Sequence, residues 1–452
     1  MSQAGALDRL PWSASAFSTL ADAEDLKLEK HERFPTMSVF DTVFLSTLVT
    51  ISVCFLSYFV LMVHFSRKPN GVAKKSIFPS VSMIIATYNE ALVVSKKLSN
   101  TLEMEYPKDK LEILVVDSGS TDTTRKIVTD FAEQNKNRGT IQLLTQQERL
   151  GKANALNYAL KHAVGDIVIL TDADVLLDKD AILKVTSNFA DGRIGAVSGI
   201  EVIRNPDQSH TTEVEQGYRS FYNTLRLGES NLDSVIMCES EFTAYRKNLM
   251  ENLPPNSICD DMELTLRVRK KGFKAIYDPS IVFHECSPSI YGTRLKHKIR
   301  RGQGIQQTLM RFAGMMFRPK YGVFSFVILP FEFFMHLVSP ILLPICIATG
   351  IVSIITAISS FNMLLVFLLV MVIILSSSLF IFILRRLSPA FSVTLKDSMN
   401  GASSRIVLVA FDFITLQMCL LVGLFSLALR GPNYKWDKID GIRETNERIN
   451  KE

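Results

Sequence analysis

Long apolar segments constrain this chain more than any other feature of its sequence. Residues 43–65 contain no Asp, Glu, Lys or Arg, and three later segments are similarly apolar, at 340–358, 363–384 and 406–429. About 20 apolar residues allow a helix to cross the hydrocarbon core of a bilayer, where backbone polar groups must be satisfied internally. We therefore expect an integral membrane protein with one transmembrane helix near its start and about three near its end.

The charge of the chain indicates which side of the membrane its polar part occupies. The net charge of +5 is too small and too scattered to indicate nucleic-acid binding, but it suits a protein beside an anionic leaflet. Arg67, Lys68, Lys74 and Lys75 follow the first apolar segment with no acid among them. The positive-inside rule therefore predicts that the following domain is cytosolic, in a protein of the plasma-membrane type.

The six cysteines show no CxxC spacing. Closely spaced pairs are typical of zinc sites, and dense cysteines are typical of disulfide-stabilised secreted domains. We expect neither here, which suits a domain in the reducing cytosol.

Between the apolar segments, residues 75–293 alternate strand-like and helix-like patterns, with predicted strands at 81–86, 111–116, 141–144 and 167–171. The last of these is apolar without polar alternation, as in a parallel strand covered on both faces. This alternation predicts a Rossmann-like α/β domain with a mostly parallel sheet. In such domains, ligands bind at the carboxyl ends of the strands.

Three polar clusters follow strands of this domain, at residues 87–90, 117–122 and 172–174. Asp172 and Asp174 come directly after a buried strand, where two carboxylates can hold a divalent cation and, through it, a diphosphate. Taken alone, this segment is equally well a turn, because Asp is common in turns. Three such clusters at one edge of a sheet instead predict a ligand site.

A basic region, residues 294–338, follows the domain. Its basic, amphipathic parts predict helices at the lipid headgroups, with ordinary solvated helices as the alternative. Residues 321–338 are apolar but contain Glu332 and His336, which share a face of a helix at this spacing. We expect an interfacial helix here, and a membrane span with a functional Glu–His pair is the alternative.

The predicted regions, in chain order, are a polar tail at 1–37 with a short helix at 21–33, a transmembrane helix at 38–66, the α/β domain at 75–293, interfacial helices at 294–338, transmembrane helices at 339–430 and a polar tail at 431–452. The side of the membrane that carries the last tail stays open. Three late spans place it opposite the domain, whereas its Lys and Arg residues favour the same side.

The polar clusters belong to six short motifs in a fixed order, at residues 82–90, 115–122, 151–157, 171–174, 196–199 and 260–264. Together they resemble the membrane-bound family-2 glycosyltransferases, which include synthases of cellulose, chitin, hyaluronan and poly-N-acetylglucosamine. The resemblance covers about residues 79–312. It implies a catalytic domain of the GT-A fold that uses a nucleotide-sugar donor, most often a UDP-sugar.

The resemblance also implies the residues of the donor site. Thr87 and Tyr88 would lie against the nucleotide. Glu90 would bond the base or ribose region, and Asp117 would accept a hydrogen bond from the uracil or ribose. Lys152 would neutralise phosphate charge, although an exposed lysine can also be an ordinary solvated residue.

The metal and the base are implied in the same way. Asp172 would lie near the donor sugar and diphosphate, and Asp174, with Asp172, would bind Mg²⁺ or Mn²⁺. Asp261 would take the proton from the acceptor hydroxyl in an inverting displacement, with adjacent Asp260 raising its pKa. Asp260 also suits a helix start, and both interpretations can hold together. His284 is a metal ligand in some relatives of this fold, but a hydrogen-bonded turn histidine is the simpler interpretation.

Two segments depart from the family pattern, both on the acceptor side. Processive synthases carry Gln-x-x-Arg-Trp, whereas this chain has Arg300 and Arg301 in the corresponding region without the Gln or the Trp. Glu239 and Glu241 stand where relatives have small, Gly-rich residues. We expect these four residues to contact an unusual acceptor, although glutamates facing solvent would fit the pattern too.

These features favour an inverting, metal-dependent glycosyltransferase acting on a lipid-linked or glycan acceptor at the membrane. The expected partners are a nucleotide sugar, the acceptor and membrane lipids, without nucleic acid. The alternative within this class is a processive polysaccharide synthase, hyaluronan- or chitin-like, that also translocates its product. A transporter or scaffold without catalysis is disfavoured because Asp172, Asp174 and Asp261 are all present.

Overall fold

The computed structural model describes residues 37–287, 291–359, 371, 402–431 and 446. Three sequence predictions lie outside these residues: the first tail with its helix at 21–33, apart from residue 37; the span at 363–384, apart from residue 371; and the last tail, apart from residues 431 and 446.

An eight-stranded sheet forms the centre of the α/β domain. Its strands are β1 (Val81–Thr87), β2 (Leu111–Ser118), β3 (Thr140–Gln146), β4 (Ile167–Asp172), β5 (Leu176–Leu177), β6 (Ile194–Ile203), β7 (Phe242–Arg246) and β8 (Lys274–Glu285). Their spatial order is β3-β2-β1-β4-β7-β6-β8-β5. The central strands are rich in Val and Ile, which favours burial on both faces.

The sheet is mixed but mostly parallel. β1 pairs in parallel with β2 and β4, and β2 pairs in parallel with β3. β7 runs antiparallel to both β4 and β6, whereas β6 and β8 are again parallel. The carboxyl ends of β1, β2 and β4 consequently meet at one edge of the sheet.

Helices cover the sheet and extend from it. In chain order they are α1 (Val39–Ser66), α2 (Val94–Leu102), α3 (Thr124–Gln134), α4 (Lys152–His162), α5 (Ala181–Ser187), α6 (His210–Leu232), α7 (Asp260–Lys270), α8 (Tyr291–Phe312), α9 (Phe324–Ser359) and α10 (Ala402–Arg430).

Alternate residues of the central strands face two hydrophobic layers, one on each side of the sheet. Met83 and Ile85 of β1 pack in the layer that contains Leu98 of α2. Ile84, between them, packs in the opposite layer with Leu156 of α4. Because successive strand residues point to opposite faces, helices on both sides can bury an uninterrupted apolar run. This explains why the central strands show no polar alternation.

Three helices in the described part of the chain are long and apolar enough to cross a membrane: α1, α9 and the segment Phe413–Arg430 of α10. α9 contains two π-helical turns, Phe324–Ile328 and Phe334–Val338, with Pro330 between them. The sequence analysis predicted an interfacial helix at 321–338, with a membrane span as the alternative. In the structure, residues 324–338 continue into the following segment as one helix.

The first membrane helix is bound to the α/β domain through α6. Gly228 of α6 lies against the backbone of Met62 in α1, where a Cβ atom would overlap the Met62 carbonyl oxygen. Glycine at this position therefore allows the two helix backbones to approach closely. At the same crossing, the Tyr58 hydroxyl donates a 2.6 Å hydrogen bond to Glu229. The helix thus contacts an element that also lines the candidate site.

Candidate active site

The three predicted polar clusters meet at the carboxyl ends of β1, β2 and β4, which we call the donor edge. In the strand registers, Thr87 lies opposite Asp117, and residue 86 lies opposite Asp172. Neighbouring strands lie about 5 Å apart, so these groups are side by side. The sequence prediction that the clusters share one edge of the sheet agrees with this register.

Asn89 ties the turn after β1 to the turn after β2. Its φ of 56° is a left-handed conformation, which Asn tolerates better than most residues. Its Oδ1 accepts a 2.8 Å hydrogen bond from the Thr121 backbone, and its own N–H donates to Ser120 Oγ at 2.9 Å. The neighbouring Tyr88 ring lies 4.0 Å from the guanidinium carbon of Arg149. The turn implied to contact the nucleotide is therefore held in place by hydrogen bonds of its own.

Asp117 is fully buried at the end of β2. Its Oδ2 accepts hydrogen bonds from Arg125 Nε at 2.5 Å and from the Ser120 backbone at 3.1 Å. Its Oδ1 has no hydrogen-bond partner among the described residues. Buried carboxylate oxygens are almost always hydrogen-bonded, so this atom is suited to accept a donor from a ligand. Glu90, on the adjoining turn, is also buried.

Lys152 connects the donor edge to the start of α7. Its ammonium lies 2.8 Å from Asp172 Oδ1 and 3.8 Å from Asp260 Oδ2. Gly151, with φ of 89°, supplies the backbone turn that precedes α4. Burial raises the pKa of Asp172 to about 6, although the charge of Lys152 opposes this rise. The lysine is therefore not a solvated surface residue.

A second lysine, Lys97 of α2, lies fully buried behind the two donor carboxylates. Its ammonium donates to Thr171 Oγ1 at 2.8 Å and to the Val175 carbonyl at 2.7 Å. These acceptors bracket residues 172–174, so one ammonium holds both ends of the carboxylate turn. Burial lowers the pKa of Lys97 to about 7, against the opposing charges of Asp172 and Asp174. The sequence analysis did not single out this residue.

Asp261 lies in the first turn of α7, which begins at Asp260 as the sequence predicted. Its Oδ1 accepts hydrogen bonds from the Met262 backbone at 2.7 Å and from Cys259 Sγ at 2.9 Å. Burial raises the pKa of Asp261 to about 7, and the charge of Asp260 adds to this rise. A carboxylate with a pKa near neutrality is a better general base than an ordinary aspartate.

One cavity of about 220 Å³ joins the donor carboxylates to the membrane helices. Its donor end is lined by five residues predicted from the sequence: Lys152, Asp172, Asp174, Asp260 and Asp261. Glu241, Arg300 and Arg301 also line it, as do Met335 of α9 and Leu420 of α10. The catalytic and metal-binding residues predicted from the sequence therefore share one cavity that leads towards the membrane region.

Six buried charged residues line this cavity or support the residues that line it. We call them the acceptor network: Glu201, Glu215, Arg219, Glu239, Arg294 and Arg301. The Arg219 guanidinium lies 2.6 Å from Glu201 and 3.5 Å from Glu239. Glu239 also lies 3.5 Å from Arg301, and Arg294 lies 2.8 Å from Glu215. Charges at this depth are tolerated when they are paired. Except for Glu239 and Arg301, the sequence analysis did not identify these residues.

Glu239 and Glu241, both predicted to contact the acceptor, occupy different places. Glu241 lines the cavity, whereas Glu239 is fully buried and is not among the lining residues. Burial raises the pKa of Glu239, and the neighbouring charge of Glu241 adds to this rise. Neither glutamate faces open solvent, and Glu239 supports the arginines beside it.

At the end of β8, His284 and Glu285 lie in different surroundings. His284 Nε2 lies 3.0 Å from Asp178 Oδ1, and His284 does not line the cavity. Glu285 does line it, because successive residues of a strand point to opposite faces. His284 therefore lies outside the cavity that contains the donor carboxylates, whereas Glu285 lines that cavity.

One residue of the last tail reaches the donor site. Asn446 is buried, and its Nδ2 donates to the Asp174 carbonyl at 3.5 Å. Its Oδ1 accepts a 3.3 Å hydrogen bond from Arg204. Asn446 therefore lies on the same side of a membrane as the α/β domain.

The sequence of this domain matches a known family. Residues 82–253 match the model of Glycosyl transferase family 2. The α/β domain is therefore similar to family-2 glycosyltransferases over most of its length. Poly-beta-1,6-N-acetyl-D-glucosamine synthases of Staphylococcus aureus and Staphylococcus epidermidis are 27% and 26% identical to the chain over 258 residues. These matches cover 56% of the chain and 61% of each synthase, so the chain spans less than two thirds of their length.

A solved structure shares the fold over most of the chain. The mannosyltransferase from Pyrobaculum calidifontis, determined in complex with GDP-Man and Mn²⁺, superposes with a TM-score of 0.66 at 27% identity. The superposition covers 86% of this chain and 99% of the mannosyltransferase, so it extends beyond the family-2 domain. The expected GT-A fold is confirmed.

The donor end of the cavity fits a divalent metal. Asp172 and Asp174 offer the carboxylate oxygens that Mg²⁺ and Mn²⁺ prefer. Both residues line the cavity. Two carboxylates at this position form a donor set that a divalent cation would neutralise.

Proposed function

We propose that this protein is an inverting, metal-dependent glycosyltransferase that moves a sugar from a nucleotide-sugar donor to a membrane-associated acceptor. One observation carries the proposal: Asp172, Asp174 and Asp261 line a single cavity in a chain with a family-2 glycosyltransferase domain. Direct sugar transfer needs a donor site and a general base within reach of one acceptor hydroxyl.

Asp261 is the proposed general base. The acceptor hydroxyl gives its proton to the Asp261 carboxylate while its oxygen attacks the anomeric carbon of the donor. The bond from that carbon to the diphosphate oxygen breaks, and the nucleoside diphosphate leaves with the bonding electron pair. A single displacement inverts the anomeric centre, so an α-linked donor gives a β-linked product. With a pKa of about 7, Asp261 is ionised in a large fraction of molecules at neutral pH.

The leaving nucleoside diphosphate is an anion, and the donor side must stabilise its growing charge. A divalent metal held by Asp172 and Asp174 would supply a Lewis acid there. Lys152, whose ammonium lies 2.8 Å from Asp172, would add a second positive charge. Thr87 and Asp117 would hold the nucleoside at the donor edge.

UDP-sugars and GDP-mannose are the donors to test first. The family resemblance favours a UDP-sugar, whereas the Pyrobaculum mannosyltransferase binds GDP-Man. The buried Oδ1 of Asp117 would accept an N–H from either uracil or guanine, so this contact does not discriminate between them.

The proposed acceptor is a lipid-linked sugar or a glycan held at the membrane. The cavity that contains Asp261 continues to Met335 of α9 and Leu420 of α10. An acceptor whose apolar part lies between these helices would present its sugar hydroxyl to Asp261. The basic residues after α1 support a cytosolic position for the domain at the plasma membrane.

A processive polysaccharide synthase is the second candidate, because the curated relatives are poly-beta-1,6-N-acetyl-D-glucosamine synthases. The missing Gln and Trp of the processive motif argue against it. Product length distinguishes the two candidates: with a labelled donor, a single added sugar supports simple transfer, and a ladder of long chains supports the synthase.

The first experiment is a donor screen on the full-length protein in membranes or detergent. Nucleoside diphosphate release is measured for each nucleotide sugar with Mn²⁺, with Mg²⁺ and with a chelator. We expect one donor to be used, and we expect release to stop with chelator and in Asp174→Asn. Glu251→Gln, an exposed control, should retain activity. Release that survives chelator or Asp174→Asn would remove the metal from the proposal, and no release from any nucleotide sugar would exclude the transferase.

A further inference from the structure

Three glutamates gather beside the donor carboxylates where β6, β7 and β8 meet. One carboxylate oxygen each from Glu201, Glu241 and Glu285 lies within 4.8 Å of the other two. The sheet explains this proximity, because β6 lies between β7 and β8. Glu201 and Glu285 share one face of the parallel β6–β8 ladder, in which Glu201 lies opposite Phe283. All three glutamates line the cavity.

The cations near this trio do not act on its three members equally. Burial would raise the pKa of Glu241, but the charges of Arg301 and Arg219 outweigh it and hold that pKa below its usual range. Arg219 lies 2.6 Å from Glu201, but its single charge is shared with other glutamates of the acceptor network. Within the described residues, no ion pair joins a cation to Glu241 or to Glu285. Two buried carboxylates of the trio therefore have no direct counter-ion among the residues that the structure describes.

The carboxylate of Glu241 itself indicates a missing ligand. Glu241 is 7% exposed, and its Oε2 atom has no hydrogen-bond partner in the described part of the chain. A buried carboxylate oxygen in this state costs free energy unless a donor or a cation reaches it. The cavity wall at Glu241 is therefore suited to receive a cation.

We infer that Glu201, Glu241 and Glu285 form a second divalent-cation site, separate from the one proposed at Asp172 and Asp174. Divalent ions bind carboxylate oxygens at about 2.0–2.6 Å, so oxygens that share one ion lie about 3–5 Å apart. The oxygens of the trio already have this spacing. Three protein ligands leave further coordination positions of the ion open towards the cavity. Acceptor hydroxyls would occupy these positions, an assignment that rests on the proposed function.

Manganese binding without nucleotide tests the second site on its own. The Asp174→Asn substitution removes the ligand proposed for the donor metal. We expect the full-length D174N protein to bind one Mn²⁺ per chain, measured from the free-Mn²⁺ EPR signal. D174N/E285Q should bind Mn²⁺ at least about tenfold more weakly. D174N/E251Q, in which the added substitution is at an exposed glutamate, should match D174N.

Two results would overturn the inference. One is a D174N protein that binds no Mn²⁺, because the trio would then hold no ion of its own. The other is a D174N/E285Q protein that keeps the ion at unchanged affinity. Thermal unfolding without metal shows whether each variant is folded, and D174N/E241Q replaces any E285Q protein that is not. Donor turnover by the unsubstituted protein is measured separately, so loss of the second site leaves the proposed function standing.

Discussion

The donor edge and the acceptor network are built in different ways. The donor edge consists of short motifs at the ends of adjacent strands, and Asn89 joins two of its turns by hydrogen bonds of its own side chain and backbone. The acceptor network instead joins charges from segments far apart in the chain, such as Glu215 of α6 and Arg294 of α8. Contacts of the first kind join short motifs that follow neighbouring strands. Contacts of the second kind exist only after the domain has folded.

Both regions nevertheless depend on a buried cation. Lys97 holds the carboxylate turn of the donor side, and Arg219 connects the glutamates of the acceptor network. The two differ in their acceptors: Lys97 binds a hydroxyl and a carbonyl, whereas Arg219 binds carboxylates. Loss of Lys97 therefore leaves neutral groups behind, and loss of Arg219 leaves charges.

The largest effect is expected at Asp261, where the two regions meet. Asp261→Asn removes the proposed base and should lower kcat about 10²–10⁴-fold, while the affinity for nucleoside diphosphate stays unchanged. Steady-state kinetics and nucleotide titration measure the two quantities. Asp130→Asn, at an exposed position on α3, is the control. A loss of nucleotide affinity without a loss of kcat would instead assign Asp261 to the donor edge.

The next effect is on stability, in Arg219→Met. Removing one member of a buried ion-pair network costs about 3–5 kcal/mol, because charges are left without a partner. Arg193→Met is the matched control: Arg193 lies 2.6 Å from Asp191, the same separation as Arg219 and Glu201, but its side chain is 65% exposed against 10% for Arg219. We expect a large fall in the unfolding midpoint for Arg219→Met and little change for Arg193→Met. An equally small fall in the unfolding midpoint of both variants would show that Arg219 is not needed to compensate the buried glutamates.

A smaller effect is expected on the donor side, in Lys97→Met. Methionine fills a similar volume but cannot donate to Thr171 or Val175, so the turn at 172–174 should loosen. We expect the donor KM to rise about tenfold, with little change in stability because a buried charge is removed as well. Lys96→Met, the exposed neighbour, should behave as the unsubstituted protein. A fall in kcat at constant donor KM would argue against this positioning role.

The smallest effect is a shift of the pH profile. Asp261 must be ionised to act as a base, so kcat/KM should fall as the pH decreases through about 7. Asp260→Asn removes a like charge, which lowers the pKa of Asp261 and moves this acidic limb to lower pH. Rates measured from pH 5 to 9 test the shift, with Asp130→Asn as the control. A limb that stays in place or moves upward would show that Asp260 does not raise the pKa of Asp261.

Some residues that the sequence analysis missed still left a signal in the sequence. Lys97 lies three residues after Val94 and four before Thr101, both buried, so it occupies the apolar face of α2. A lysine at such a position is unusual enough to be noticed. Glu285 left no comparable signal, because the choice between it and His284 depends on the register of β8 against β6.

The sequence by itself determined the parts of this protein that depend on neighbouring residues. Strand-forming runs, apolar membrane segments and the motifs at the donor edge are local, and parallel pairing brings the strand ends to one edge. Only the tertiary structure showed that Glu241 lines the cavity and Glu239 does not. It also joined residues 324–338 to the rest of α9 and placed Asn446 beside Asp174. It also brought together Glu201 of β6, Glu241 just before β7 and Glu285 of β8. These features depend on strand register and on packing between distant segments, which no short stretch of sequence encodes.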